Sequence, residues 1–215
     1  MRRTREDALK TRDQILDAAE VTFFQHGFSH TSLAQIAERA GLTRGAIYGH
    51  FKNKCEVFNA MAERVKLPME MLVTATFDPR EADPLGRIRD LFMFCLAKAA
   101  IEPHSRRVFE VLFTKCEYTE ELAPVLERQR TAARDGRARM ELGLRNAIDK
   151  GQLPPELDTT RAAGVLQMFL GGVLRDWLLD YGSVDLPRDA KFLADACIGM
   201  LRNSPALRRH ATSAG

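Results

Sequence analysis

The sequence predicts an all-α fold of about nine helices: a small N-terminal three-helix domain carrying a helix-turn-helix, followed by a larger C-terminal helical domain. Three observations predict it. Apolar residues recur at i, i+3, i+4 and i+7 along the chain, while the period-two alternation of half-buried strands is absent. Glycine and proline mark helix starts and stops, at Gly27, Gly41, Pro84, Pro103, Gly151 and Pro154. Residues 31–51, TSLAQIAERAGLTRGAIYGHF, read as two short helices across a tight turn.

That stretch is the most informative in the chain. Leu33, Ile36 and Ala37 share one helical face, and Ser32 with Gln35 forms an S-x-x-Q capping box. Gly41 takes the positive φ that ends a helix, and Thr43 offers a hydroxyl to cap the next. Ala37 is small where the helices cross, and Leu42 and Ile47 point inward. The second helix of such a motif normally lies in the DNA major groove, which makes Thr43, Arg44, Tyr48 and His50 candidates for DNA contact. Arg44 is the base-reading candidate, because a guanidinium meets guanine O6 and N7 in two parallel bonds. Gly45 lets the helix approach the groove. Thr43, Tyr48 and His50 are expected on phosphates, fixing register; packing inside the small domain is the competing role for Tyr48 and His50.

At these residues the chain resembles the TetR family of bacterial transcriptional regulators. The run TRGAIYGHFKNK, residues 43–54, is similar to the recognition helix and following turn of the branch that represses multidrug efflux pumps. One departure stands out: that branch commonly carries a bulky aromatic residue where this chain has Gly49. The resemblance implies a homodimer on a two-fold-related DNA operator, an inverted repeat, released when a small-molecule effector fills the C-terminal domain.

Charge distribution agrees with a DNA-binding head. The net charge is only +3, but residues 1–54 hold nine Lys/Arg against six Asp/Glu and the remainder balances, so all the excess lies in this quarter. Arg2, Arg3 and Arg5 precede the first periodic segment. Such an arm can reach a minor groove or lie on phosphates, with a solvated terminus as the alternative. Ser32, at a helix N-terminus, joins the candidate DNA contacts. No apolar run approaches the roughly 20 residues that span a bilayer, and no signal-peptide core follows the basic start, so a cytoplasmic protein without membrane contact is expected. The four cysteines lack C-x-x-C spacing and read as reduced core thiols, a redox switch being the alternative.

The remaining elements follow in order. The first helix spans about 6–26, with Ile15, Leu16, Ala19 and Phe23 on one face and Gly27 as its stop. Asn53 and Glu56 start another, which is expected to bend at Pro68 and to link the domains over about 53–76; Lys54 falls in its first turn, beside unpaired amides that suit a phosphate. The domain boundaries are accordingly 1–54 for DNA binding and 55–215 for ligand binding and dimerisation. Asp83-Pro84 starts a helix faced by Leu85, Ile88, Leu91, Phe92, Cys95, Leu96 and Ala99. Pro103 begins the next, with Phe109, Leu112, Phe113 and Cys116 as its stripe. A charge-rich helix over about 119–150 contains Gly136 and Gly143, each costing about 1 kcal/mol relative to alanine. Asp158 caps a helix running to about Tyr181 that is apolar nearly all round, so it needs cover on more than one flank. A last helix, about 187–203, carries Phe192, Leu193, Ala196, Cys197, Met200 and Leu201, and the tail after Pro205 is expected to be loose.

These last two helices from two subunits would form a four-helix bundle, with Phe169, Val173, Trp177, Phe192, Cys197 and Met200 at the dimer interface. Ile88, Leu91, Phe92, Cys95, Phe109, Phe113, Ala133, Gly136, Met140, Gln167, Leu170 and Leu174 could enclose one apolar chamber. Periodicity alone favours an ordinary packed core there; the resemblance implies a chamber that takes varied, largely apolar compounds. A helical enzyme is the rival from another class, but its usual signs, a nucleophile elbow, a metal-spaced H-x-x-x-H or a phosphate loop, are missing. His26 and His30 are four apart, yet Gly27 ends the helix between them. Neither a metal nor a cofactor is expected. A regulator of lipid or other metabolic genes, and a purely architectural DNA-binding protein, are the other readings.

Overall fold

The computed structural model describes residues 5–116 and 120–209, with side chains other than those of 66–76 and 121. Among the described residues there are nine α-helices: α1 (Arg5–His26), α2 (Leu33–Arg39), α3 (Arg44–Tyr48), α4 (Lys54–Thr76), α5 (Pro84–Ile101), α6 (Pro103–Thr114), α7 (Ala123–Asp149), α8 (Thr159–Leu179) and α9 (Leu186–Asn203). Short 3-10 turns at Glu120–Leu122 and Pro205–Leu207 complete the order. The expected all-α class is what the chain adopts. It folds into two compact units, 1–67 with 102–130, and 68–101 with 131–215.

The first unit is built on α1. Ile15, Leu16, Ala19 and Phe23 are fully buried, and they meet Phe28, Ile36, Ile47, Val57, Phe58 and Met61, none of which reaches solvent. Phe23, Phe28 and Phe58 form its centre, with ring centroids 5.3–5.6 Å apart and Phe58 edge-on to the other two. Gly27 ends α1 at φ +74, and a Cβ there would stand 3.3 Å from the Lys115 carbonyl. Both the backbone angle and the close approach favour glycine. α6 packs along α1. Its buried face is Ser105, Val108, Phe109 and Val111, which corrects the expected stripe: Phe113 is 39% exposed, and Cys116 lies past the helix end. The apolar run around Phe109 admits two faces, and packing on α1 selects this one. α4 continues through Pro68 to Thr76 as one helix.

In the second unit α5 lies on α9, with α8 against both. Leu85, Ile88, Leu91, Phe92, Cys95, Leu96 and Ala99 face inward, as the spacing predicts. Asp83 caps α5 by accepting the Gly86 amide at 2.8 Å. Asp158 does the same for α8 through the Arg161 amide at 2.9 Å, and Gly151 ends α7 at φ +69. α9 buries Leu186, Ala190, Ala194, Cys197, Ile198 and Leu201 along one stripe. Trp177 at 6% and Cys197 at 1% exposure are buried within the single chain. Residues 205–209 are docked, contrary to the looseness expected there, and the rest of the tail, 210–215, lies outside the described residues. Leu207 is buried, its carbonyl accepts the Asp158 amide at 2.8 Å, and Arg208 bridges Leu157. α8, at 21 residues, also proves long and apolar enough to cross a bilayer by length and composition, against the sequence expectation. A third of its apolar stretch is buried in the single chain, where it packs on α5 and α9.

Candidate nucleic-acid interface

Three caps and one buried plug build the site. Ser32 sits in extended backbone at φ −116 and ψ 156, and its Oγ accepts the Gln35 amide at 3.2 Å. Gln35 Oε1 in return accepts the Ser32 amide at 2.7 Å, so the capping box is complete. Gly41 turns the chain at φ +65, and the Leu42 amide donates back to Ala37 at 2.9 Å. Thr43 then caps α3 by accepting the Ala46 amide at 3.2 Å. Within α3 Ile47 is wholly buried, which fixes the helix's rotation. Arg44, Gly45 and Tyr48 consequently face solvent, Tyr48 at 54% exposure.

An open groove of about 360 Å³ runs between the start of α2, the face of α3 and the start of α4. Ser32, Arg44, Tyr48 and Lys54 all line it, so four of the expected DNA contacts come together. Lys52 and Asn53 line it too. Asn53 Oδ1 accepts the Glu56 amide at 2.9 Å, and Glu56 Oε2 accepts the Lys52 amide at 2.8 Å, a start for α4 one residue wider than a regular capping box. The lining carries three cations and no carboxylate. A surface of that sign draws phosphate.

Other expected contacts fall differently. His50 lies beyond the C-cap Gly49, in the turn after α3 instead of on it, and is half-buried. Thr43 is exposed at the α3 N-cap. Arg3 is outside the described residues. Lys54 Nζ stands 4.3 Å from the centre of the Phe28 ring, so it is held by a cation–π contact at the rim of the aromatic core. Arg12 of α1 lies over Phe51 at 5.0 Å and pins the chain just after α3. Sequence reading missed Lys52 and Arg12. Lys52 was detectable as the remaining cation of the FKNK turn, whereas Arg12 required knowing that α1 lies against the end of α3.

The residues expected around an effector divide between the units. In the second, Ile88, Leu91, Phe92, Cys95 and Leu174 are buried, and Ala133, Gly136, Met140 and Leu170 are half-buried. Gln167 is engaged with α7: it accepts from Arg137 Nε at 3.0 Å and donates to the Ala133 carbonyl at 3.3 Å. Phe169, expected at the dimer interface, has its ring 5.7 Å from that of Phe92. Phe109 is buried and Phe113 exposed in the first unit, with ring centroids 6.4 Å apart. Of the remaining interface candidates, Val173 and Met200 are half-buried, and Phe192 is 69% exposed.

Residues 15–61 match the bacterial regulatory proteins of the tetR family, and residues 83–203 match the C-terminal region of MAATS-type transcriptional repressors. The chain belongs to the TetR family. Among its TetR relatives, the HTH-type transcriptional regulator TtgR of Pseudomonas putida is 41% identical over 209 residues, covering 97% of this chain and all of TtgR. Crystalline NalD, the secondary repressor of the MexAB-OprM multidrug efflux pump in Pseudomonas aeruginosa, superposes with a TM-score of 0.83 at 35% identity, over 92% of this chain and 100% of that one. SmeT, the repressor of the Stenotrophomonas maltophilia efflux pump SmeDEF, in complex with triclosan, gives 0.83 at 33% identity over 94% and 96% of the two chains. The all-α fold described above is thus that of a TetR-family regulator.

Proposed function

We propose that this TetR-family regulator represses a multidrug efflux operon as a cytoplasmic, non-enzymatic homodimer, and leaves its operator when a small apolar or aromatic compound fills the C-terminal domain. The observation that carries the reading is the exposed Arg44–Gly45–Tyr48 face above a groove lined by Arg44, Lys52 and Lys54 with no acid. Arg44 reads base edges; Ser32, Thr43, Tyr48 and Lys54 hold phosphates, and His50 and the Arg3 arm supplement them. The head is assigned to 1–54 and the regulatory domain to 55–215, with α4 as the link.

One such helix reads only a few base pairs, so specificity calls for two heads on an inverted repeat. The outer sides of α8 and α9 supply a face for the second subunit, because Met168, Leu179 and Phe192 are 67%, 66% and 69% exposed. Phe169, Val173 and Met200 lie half-buried on the same two helices. Effector control is supported by the similarity to NalD and to the triclosan-bound SmeT, and by the apolar residues of α5, α7 and α8. A ligand releases DNA only by binding better to the conformation with misplaced heads.

The test is selection of duplexes from a random library by the purified protein, followed by triclosan titration. An enriched inverted repeat, a dimer by light scattering and release by triclosan are expected. A monomer without preference for any palindrome at moderate salt would overturn the reading.

A further inference from the structure

Among the described residues Glu20 is the one charged side chain that the fold buries, at 1% exposure. It lies on the apolar face of α1, between Leu16 and Phe23. A carboxylate out of water is tolerated only where partners replace the lost hydration. Its neighbours come from the first two turns of α6: Arg107 Nε donates to Oε1 at 2.6 Å, while His104 Nδ1 lies against Oε2, a buried oxygen that accepts no hydrogen bond. Elsewhere α6, which packs on α1, buries the apolar Val108 and Val111, and beyond its far end the Lys115 carbonyl accepts a long bond from the Phe28 amide at 3.4 Å.

Apolar contacts slide with little change in energy, whereas a buried ion pair tolerates only a narrow geometry. Movement of the α6 N-terminus must therefore carry α1 with it or break the pair. That terminus follows α5 directly, through Glu102, and α5 bears Ile88, Leu91, Phe92 and Cys95 of the proposed effector chamber. On the other side α1 grips the helix-turn-helix, with Gln14 bonded to the Ala40 carbonyl at 2.6 Å and Arg12 over Phe51.

We propose that Glu20, His104 and Arg107 form a latch that transmits effector occupancy from α5 and α6 to α1, and so to the recognition helix. The three are positioning residues, and the proposal deepens the effector-controlled reading given above and rests on it. The latch gives a coupling specific to its charges, distinct from the apolar support that α6 also provides.

Glu20→Gln, Arg107→Gln and Arg107→Lys test this against the wild type, using the selected duplex and triclosan. Wild-type affinity should fall about tenfold or more with saturating triclosan, within the usual range of allosteric coupling. Glu20→Gln and Arg107→Gln should bind duplex and triclosan within about threefold of wild type, yet lose most of that release; Arg107→Lys, which keeps the charge, should recover it in part. A lowered melting temperature and weaker DNA binding with unchanged release would make the pair merely structural and overturn the latch. Should wild type bind the repeat but ignore triclosan, the effector reading fails for this compound, and amide exchange decides the latch separately. Glu20→Gln must then raise exchange in α1 as well as in the first turns of α6; unchanged protection of α1 would overturn it.

Discussion

The side-chain amide of Gln14 on α1 donates to the carbonyl of Ala40, the C-cap of α2, at 2.6 Å across 26 residues of chain. It ties the first helix to the turn that sets the angle between α2 and α3. Gln14→Ala removes the donor from a part-buried bond whose acceptor residue, Ala40, is only 6% exposed, so the cost should be about 1–3 kcal/mol. Gln14→Glu places an acceptor against an acceptor and should cost more. Urea denaturation of the three proteins gives the order; equal midpoints would show the contact to be idle.

Arg44 is presented by the burial of Ile47 one helical turn away and lines the basic groove. Arg44→Ala should lose ~1–3 kcal/mol of discrimination between the preferred repeat and one altered at a guanine. Lys52→Ala should instead weaken binding to all duplexes and flatten the dependence of affinity on salt. Competition binding at two salt concentrations separates the two effects. Unchanged preference in Arg44→Ala would remove it from base readout.

Much of this site was legible because its determinants are local. Ser32 with Gln35, Gly41 and Thr43 specify their caps within four residues of themselves, and each is realised. What escaped was set by partners far along the chain. Glu20 occupies a core position on α1, a signal visible in the spacing, but its partners stand 84 and 87 residues away on another helix. The buried side of α6 was misread because apolar residues occupy two of its faces and only α1 chooses between them. In α9, too, an inner stripe at Ala190, Ala194, Cys197 and Leu201 runs beside an outer one bearing Phe192 and Met200. Composition cannot say which stripe the same chain covers.

Two glycines of the head should respond oppositely to alanine. Gly41 is at φ +65 with open space around it, so Gly41→Ala meets only the left-handed backbone penalty, about 1–2 kcal/mol. Gly49 is at φ −70 and ψ −18, helical values that any residue adopts, and the one tight approach a Cβ would make, 3.3 Å to the Ala46 carbonyl, is to its own helical turn. Gly49→Ala should therefore stabilise by about 0.4–1 kcal/mol, chiefly by restricting the unfolded chain. Gly49→Tyr, which supplies the aromatic residue usual in the resembled branch, should fold as well as the wild type. Thermal melting checks all three, and a destabilised Gly49→Ala would contradict the stated backbone.

Asp195 on α9 accepts from Arg89 Nε at 2.6 Å and from Lys191 Nζ at 2.8 Å, and these bonds, the Arg89 one foremost, hold its carboxyl at about 2. A carboxylate depressed in the folded state adds stability above its unfolded pKa, near ~3.9, and that share disappears as pH falls through the folded value. Wild type should accordingly melt above Asp195→Asn at neutral pH, with the gap closing between pH ~4 and ~2. Because the pair is exposed, added salt should also narrow the gap. Parallel melting profiles across that range would rule out the linkage.

The docked C-terminal segment makes the last prediction. Leu207 is 5% exposed, while the carbonyl it presents accepts the Asp158 amide at 2.8 Å and the next residues reach the loop before α8 through the Arg209 amide on Glu156 at 2.8 Å. Arg208 also donates to the Leu201 carbonyl at 3.1 Å, satisfying an acceptor near the end of α9. One side chain thus seals the core while its backbone completes the cap of another helix. Leu207→Ala should destabilise by about 2–5 kcal/mol, the range for a buried leucine whose cavity relaxes only in part. Arg208→Ala should cost less, since water can replace its partly exposed bonds. Truncation after Asn203 removes both contributions and should exceed either single change in denaturant titration; a truncated chain as stable as the full one would mean that the segment rests on the core without sealing it.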